Sequence, residues 1–453
     1  MTARAATAGR VRSRPKSRAA AFGGVSEHSL LLTATLCLLA FGAVMIFSAS
    51  STTQILSDGG LSNSAYFLKR TLIFGAVGLV LMRLLAVGGV RMLRGLTPVL
   101  LVASVAMLMV VLAIGPAVNG AHRWFGSGLV QVQPSELAKL ALILYGAHLL
   151  ASEPKRARTI HGMAPFLLIV GFCCALIVVE PDLGTAIVIA FAVCSMLVAA
   201  GARIRDLALI AAVLAFVGLL FIVVEPYRAA RITGFLHPGS DTSGTGFQAL
   251  QAKIALGSGG IFGKGLGDGV QKAYYLPEAH TDMIAAVIGE EIGFIGIGGL
   301  VGLFALIGFA GFRTAQKARD RYGKLLAAGL TAMILTQAVI NLCAVTGLAP
   351  LTGVPLHFVS YGNSSLLVSL AAIGLLLNIA RANERGVAAG RPAASGPRGR
   401  RATGRLRAVD GGRASPRGRS SASRASSAKG RNSGGGNRRP RRAGDRRRRR
   451  TAG

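Results

Sequence analysis

The chain has 453 residues, of which 52% are apolar and only 15% charged, and its mean hydropathy is +0.53. A soluble protein carries closer to about a quarter charged residues, so a string of water-soluble domains is excluded. The net charge of +33 is not a nucleic-acid signal, because it sits at the ends: residues 381–453 hold 23 Lys+Arg against 3 Asp+Glu, and residues 1–28 hold 6 against 1.

In chain order, residues 1–28 are Arg-, Ala- and Ser-rich and predict a disordered basic N-terminus. Ten apolar segments follow, at about 29–48, 67–87, 98–116, 136–151, 164–180, 183–201, 206–225, 283–312, 324–346 and 362–380. Each is long enough, or nearly so, to cross a hydrocarbon layer of ~30 Å. The first run is too long for a cleaved signal peptide, although small residues follow it at Ser48-Ala49-Ser50. Residues 381–453 are a second disordered basic arm, suited to anionic lipid headgroups, with no nucleic acid expected. The fold class is therefore an all-α polytopic membrane protein of about ten transmembrane helices, with the membrane domain at 29–380. Five cysteines (Cys37, Cys173, Cys174, Cys194, Cys343) all lie in the apolar runs and read as small core residues.

Loop charge sets the expected orientation. Arg91 and Arg94, Lys155 to Arg158, Arg203 and Arg205, and the basic residues from Arg313 to Lys324 fall on the same side as both basic termini. The positive-inside rule assigns that side to the cytoplasm. Lys69, Arg70 and Arg123 are the exceptions. A large extracytoplasmic loop, 226–282, then separates the seventh and eighth segments, and ordered loops of that length are usually functional.

Four polar clusters sit at the outer helix ends. The first holds Arg123 and Trp124, then Gln133-Pro134-Ser135-Glu136, with Ser135 a candidate N-cap and Glu136 and Lys139 on one helix face. Trp124, the only Trp, also reads as an interfacial anchor. The second is Glu180-Pro181-Asp182, two carboxylates that could bind a cation, position a substrate or cap a helix. The third is the long loop, with Arg228, Arg231, Lys264, Lys272, Glu278, His280 and Asp282, continuing into Glu290 and Glu291 at membrane depth, where acids are functional candidates. Asp282 can cap the next helix or act as a general base on a sugar hydroxyl. The fourth runs from Gly347 through Ser360 and Tyr361 to Ser365, and its Gly and Pro residues allow a bent re-entrant segment.

The four clusters, in this order, resemble the SEDS family of membrane peptidoglycan glycosyltransferases. The similarity covers roughly residues 28–383 and is most specific in the run Gly257–Gly293, GSGGIFGKGLGDGVQKAYYLPEAHTDMIAAVIGEEIG, with QPSELAK and the SYG segment as independent support. The resemblance implies ten helices and polymerisation of lipid II, with loss of undecaprenyl pyrophosphate and inversion at the anomeric carbon. It places the essential aspartate at Asp282, and it matches a family ion pair to Glu136 and Lys139. Arg228, Arg231, Lys264 and Lys272 are then candidates for holding the pyrophosphate. A divalent cation, Mg or Mn, could assist, but no metal ligand set is readable. A class B penicillin-binding transpeptidase and other division proteins are implied partners.

Three positions depart from the family pattern: Asn363 after Gly362, His357 where Pro is more usual, and His237 where Asp is common. The LPEAHTD and IGEEIG runs favour the division branch, whereas Gly353-Val354-Pro355-Leu356 also resembles the elongation branch. A lipid-linked-precursor flippase or other transporter, and a non-catalytic division scaffold, are the competing readings.

Overall fold

Long apolar runs must satisfy their backbone internally within a bilayer, and here they do so as helices. The computed structural model describes residues 26–58, 66–116, 123–126, 131–155, 157, 159–224, 226–237, 239 and 244–389; residues 1–25 and 390–453 of the basic arms lie outside them, whereas residues 27–28 and 381–389, expected to be disordered, are helical as the ends of α1 and α14. The helices are α1 Glu27–Asp58, α2 Tyr66–Leu84, α3 Val90–Ile114, α4 Pro134–Ser152, α5 Ile160–Val179, α6 Leu183–Ala200 and α7 Ile204–Val224. They continue as α8 Pro226–Leu236, α9 Thr245–Gly259, α10 Gln271–Tyr274, α11 Ile284–Glu291, α12 Gly293–Lys317, α13 Arg321–Val345 and α14 Asn363–Ala389. Among the described residues the only β feature is an isolated antiparallel bridge between Phe125 and Val132.

Among the described residues, eight helical stretches are long and apolar enough to cross a membrane. One of them, Tyr66–Ile114, joins α2 to α3 through a π-helical segment, Leu85–Gly89. At 49 residues it is about 74 Å long and covers both of the segments expected at 67–87 and 98–116. α4 covers the segment expected at 136–151, and its Glu136 and Lys139 make it more polar than these eight. Helices α13 and α14 form the centre of the bundle, with Leu325, Leu330, Ile334, Leu370, Ile373 and Leu376 fully buried. The outer helices turn Leu72, Val80, Val102, Phe216 and Leu219 outward, the pattern expected where lipid is the solvent. None of the 18-residue apolar window of α7 is buried.

The two ends of the bundle differ in charge. At one end Glu27 meets Lys317 and Arg313, and Arg321 donates to the last carbonyls of α4 and α6, Leu150 O (3.2 Å) and Ala200 O (3.0 Å). Arg94 lies 5.0 Å over the Tyr322 ring at the same end. A cation at a helix C-terminus satisfies orphan carbonyls and complements the dipole. The other end carries the starts of α2, α4 and α14, together with the long loop.

Three expectations are corrected. The segment 283–312 is not one helix: it breaks between α11 and α12, where Gly293 takes a φ of +74° that side chains rarely adopt. A Cβ there would lie 2.4 Å from the Gly263 nitrogen, so the break is also where the loop backbone presses closest. The long loop carries three helices of its own, α8, α9 and α10. Ser135 is not the cap of α4; Gln133 holds that position with Pro134 at N1, while the Ser135 hydroxyl points to Asp182. A proline at N1 leaves no amide there to cap.

Candidate active site

The site is built on a chain reversal between α13 and α14. Residues 346–362 are not helical, and Gly347 and Gly353 take φ values of +71° and +68°. Their carbonyls would be costly to bury unpaired, so side chains replace the missing helical donors. Gln337 Nε2 donates to Pro355 O at 2.8 Å, Asn341 Nδ2 to Val354 O at 2.9 Å, and Arg231 to Leu351 O at 2.9 Å. Gln337 and Asn341 are four apart, one turn on the same face of α13. Ser360 accepts from the Leu356 amide at 2.8 Å, closing the segment's own turn. The bent segment expected from its glycines and prolines is therefore held in place by side-chain donors from α13 and α8, with Leu351, Val354 and Leu356 buried and Leu348 and Gly353 exposed.

Asp282 stands against this segment. Asn341 Nδ2 also donates to the Asp282 carbonyl at 2.8 Å, tying its backbone to Val354. Asp282 does not cap α11, whose N-cap is Met283 with no side-chain cap bond. Its Oδ1 accepts from Thr281 Oγ1 at 3.2 Å, and the same hydroxyl lies 2.7 Å from Glu278 Oε2. Oδ2 and the Arg231 guanidinium each come within 3.9 Å of one point, the place a Cβ on Gly353 would take. Burial pushes the Asp282 carboxyl up to about 6; the Glu278 carboxylate adds to the rise, and Arg231 opposes it. The site therefore holds a half-buried carboxyl of raised basicity with a guanidinium facing the same space.

Aromatic rings wall one side. Phe67 packs on His280 (4.5 Å between centroids) and on Tyr361 (4.8 Å), and the Tyr361 amide donates to the His280 carbonyl at 2.9 Å. Burial lowers the pKa of His280, which keeps the imidazole neutral. Arg70 is 5.8 Å from the Tyr361 ring. With its amide oxygen turned toward Arg70, Asn363 accepts from Nη2 and Nε at 2.8 and 2.7 Å. The asparagine that departs from the family pattern is thus the partner of a buried arginine.

Behind these lies a second polar layer. Lys139 Nζ bonds Glu136 Oε1 at 2.8 Å and Gln337 Oε1 at 2.7 Å, with both charged side chains sealed from solvent. The ion pair therefore holds the amide that holds Pro355. His357 is also buried; its Nδ1 meets Ser369 Oγ at 2.5 Å, and burial together with the Lys139 charge lowers its pKa well below the usual histidine value. Asp182 accepts from the Thr185 amide at 3.1 Å as the cap of α6, and from Gln133 Nε2 at 3.2 Å. Arg123 donates to the carbonyls of Glu180 and Pro181, where α5 ends. Burial first, then Asp182, raises the Glu180 carboxyl to about 8, with Arg123 opposing. Trp124 is half-buried.

The lysines of the long loop have other partners than expected. Lys264 Nζ is 2.9 Å from Glu290 Oε1, and Lys272 Nζ is 2.6 Å from Glu291 Oε1, with Lys272 only 2% exposed. The two acids read as functional candidates at membrane depth are paired with two of the lysines read as candidate pyrophosphate ligands. Lys272, a candidate pyrophosphate ligand in sequence, is thus sealed in an ion pair, and among the described loop side chains Arg231 shares with Asp282 the space beside Gly353. Arg228 lies in α8, and its side chain is outside the described residues. Sequence reasoning missed Arg70, Gln337 and Asn341 as site residues; the only signal was polar side chains inside otherwise apolar helices.

Residues 28–385 match the profile described as cell cycle protein, FtsW/RodA/SpoVE. The chain belongs to this family. The chain is 40% identical over 363 residues to a "probable peptidoglycan glycosyltransferase FtsW" of Trichlorobacter lovleyi, covering 78% of this chain and 93% of that relative. It is also 40% identical to the stage V sporulation protein E of Bacillus subtilis, covering 79% of this chain and 97% of that protein. Among solved structures it resembles a chain described under "Structural coordination of polymerization and crosslinking by a peptidoglycan synthase complex" (TM-score 0.64, 32% identity, 78% of this chain and 97% of that one). It likewise resembles the rod shape determining protein RodA of Thermus thermophilus (TM-score 0.56, 30% identity, 78% and 96% coverage). The FtsW/RodA/SpoVE region ends at residue 385, so nearly all of the Arg-rich arm lies beyond it.

Proposed function

We propose that this protein is a peptidoglycan glycosyltransferase that polymerises lipid II at the outer face of the cytoplasmic membrane, in the septal branch of wall synthesis. The observation that carries the reading is the Asp282 carboxyl, raised to about 6 and facing the same space as the Arg231 guanidinium. A base of that pKa is ionised at neutral pH yet basic enough to accept a proton as a bond forms. Asp282 takes the proton of the acceptor 4-hydroxyl, whose oxygen attacks the donor anomeric carbon from the face opposite the pyrophosphate. The carbon–oxygen bond to undecaprenyl pyrophosphate breaks, and the configuration inverts. Arg231 is placed to stabilise charge on the departing group.

Both termini are assigned to the cytoplasm, because Arg313, Lys317, Arg321 and Arg94 gather at the end opposite Asp282. Residues 1–28 and 381–453 are then basic cytoplasmic arms flanking the membrane domain at 29–380. Glu278 and Asp282 offer oxygen donors of the kind Mg or Mn prefers. Among the described residues no group of three or more His, Cys, Asp and Glu can hold an ion, so a cation would draw most of its ligands from the pyrophosphate and water. A class B penicillin-binding protein is the proposed partner, in line with the synthase complex in which a similar chain was solved.

The test is purified protein, with and without that transpeptidase, incubated with labelled lipid II. Glycan strands from wild type and none from Asp282→Ala support the reading. Lipid translocation in liposomes that survives Asp282→Ala, with no polymer, replaces it with a carrier. Binding of the partner with neither activity makes the protein a scaffold.

A further inference from the structure

Asp282 stands two residues before an eight-residue helix, α11, which the break at Gly293 separates from the spanning helix α12. Continuity with a membrane helix therefore does not hold α11 in place. The far end of α11 is held instead by a buried polar cluster. Glu290 Oε1 accepts from Lys264 Nζ at 2.9 Å and from the Val270 amide at 3.0 Å, and its Oε2 accepts from the Gln271 amide at 3.1 Å. Glu291 accepts from Lys272 Nζ at 2.6 Å and, on both oxygens, from Ser48 Oγ of α1 at 2.8 and 2.7 Å. Lys272 Nζ also reaches Ser48 Oγ at 3.0 Å. The side chains of Lys272, Glu290 and Glu291 are fully sealed. Beside them the loop backbone fits without side chains: a Cβ on Gly259 would lie 1.9 Å from the Gly289 oxygen, and one on Gly263 2.1 Å from the Glu291 oxygen.

We propose that Ser48, Lys272 and Glu291, assisted by Lys264 and Glu290, are positioning residues for the transfer reaction: they clamp α11 between α1 and the long loop and so set where the Asp282 carboxylate stands. This rests on the reading of Asp282 as the base. A buried ion pair is a poor device for stability, since well-packed apolar replacements are often neutral or better. As a device for geometry it is effective, because a helix of eight residues moves as one body. A displacement of about 1 Å at reacting groups can cost roughly a hundredfold in rate.

The experiment uses the full chain with its transpeptidase partner and labelled lipid II, reading kcat, KM and melting temperature together. Lys272→Met alone leaves the Glu291 charge buried and unpaired, which destabilises the fold itself, so the deciding variants are the double Lys272→Met/Glu291→Leu and the single Ser48→Ala. The double is expected to keep the wild-type melting temperature within a few degrees and KM within about threefold, while kcat falls roughly 10- to 100-fold. Ser48→Ala is expected to lower kcat severalfold at unchanged KM. Wild-type kcat in both variants overturns the proposal, as does a loss of activity that follows only the loss of folded protein. A wild type whose activity equals that of Asp282→Asn overturns the reading of the base and this inference with it, whereas an active wild type with an unaffected double variant overturns the inference alone.

Discussion

Replacing Glu278 with Gln should move the acid limb of the reaction toward lower pH. Asp282 must be ionised to act as a base, and its carboxyl is raised from 3.8 to about 6, mainly by burial and next by Glu278. Below that value the ionised fraction falls about tenfold per pH unit. In wild type kcat/KM should therefore be level above about pH 7 and fall roughly tenfold by about pH 5. The Thr281 hydroxyl lies 2.7 Å from one carboxylate and 3.2 Å from the other, which puts the two groups roughly 5 Å apart. Like charges at that separation repel by about 0.8 kcal/mol in water-like surroundings and about 3 kcal/mol at an effective dielectric of about 20. Glu278 is exposed, so the lower figure applies, equivalent to somewhat more than half a pKa unit. The assay is glycan formation from labelled lipid II by the full complex between about pH 5 and 8. A Glu278→Gln profile superimposable on wild type would refute the electrostatic argument. An acid limb that persists in the residual activity of Asp282→Asn would refute the assignment of the limb.

Three further outcomes follow from the same geometry. Folding raises the Asp282 pKa, so the folded state is penalised above about pH 6 and relieved as pH falls through that value. Asp282→Asn should then melt higher than wild type near pH 7.5, and the gain, at most about 3 kcal/mol, should fall to about half near pH 5 and vanish only below about pH 4, the unfolded carboxyl range. Lys139→Met leaves Glu136 buried without its partner and should cost about 3–5 kcal/mol, whereas Glu136→Gln/Lys139→Met should recover much of that in a thermal melt. Gly293→Ala introduces both a φ that side chains rarely adopt and a Cβ 2.4 Å from the Gly263 nitrogen; it should abolish accumulation of folded protein, measured by detergent size-exclusion yield.

The helices were legible because lipid demands long apolar runs, and the Arg- and Lys-rich turns gave the two ends of the bundle. The break at Gly293 was not, because Ile292 and Phe294 keep the hydropathy high across it and one glycine among 60 carries no mark. Asp282 was identifiable only through its motif; nothing in its own spacing separates a base from a cap. Loop lysines look like free cations in sequence, and the acids that neutralise Lys264 and Lys272 lie 26 and 19 residues further on. Arg70 read as a topological exception, since its partner Asn363 is almost 300 residues away. Gln337 and Asn341 were lost in an apolar helix, because their acceptors are backbone carbonyls, which every sequence has.

Those two amides also bear on how the chain assembles. Gln337 and Asn341 precede the carbonyls of Pro355 and Val354 by 18 and 13 residues. During synthesis the donors leave the ribosome first, already mounted on a helix able to enter the membrane unaided. The acceptors emerge afterwards and can be paired as they arrive, so the irregular stretch need never sit bare in hydrocarbon. The order of residues along the chain thus doubles as an order of insertion.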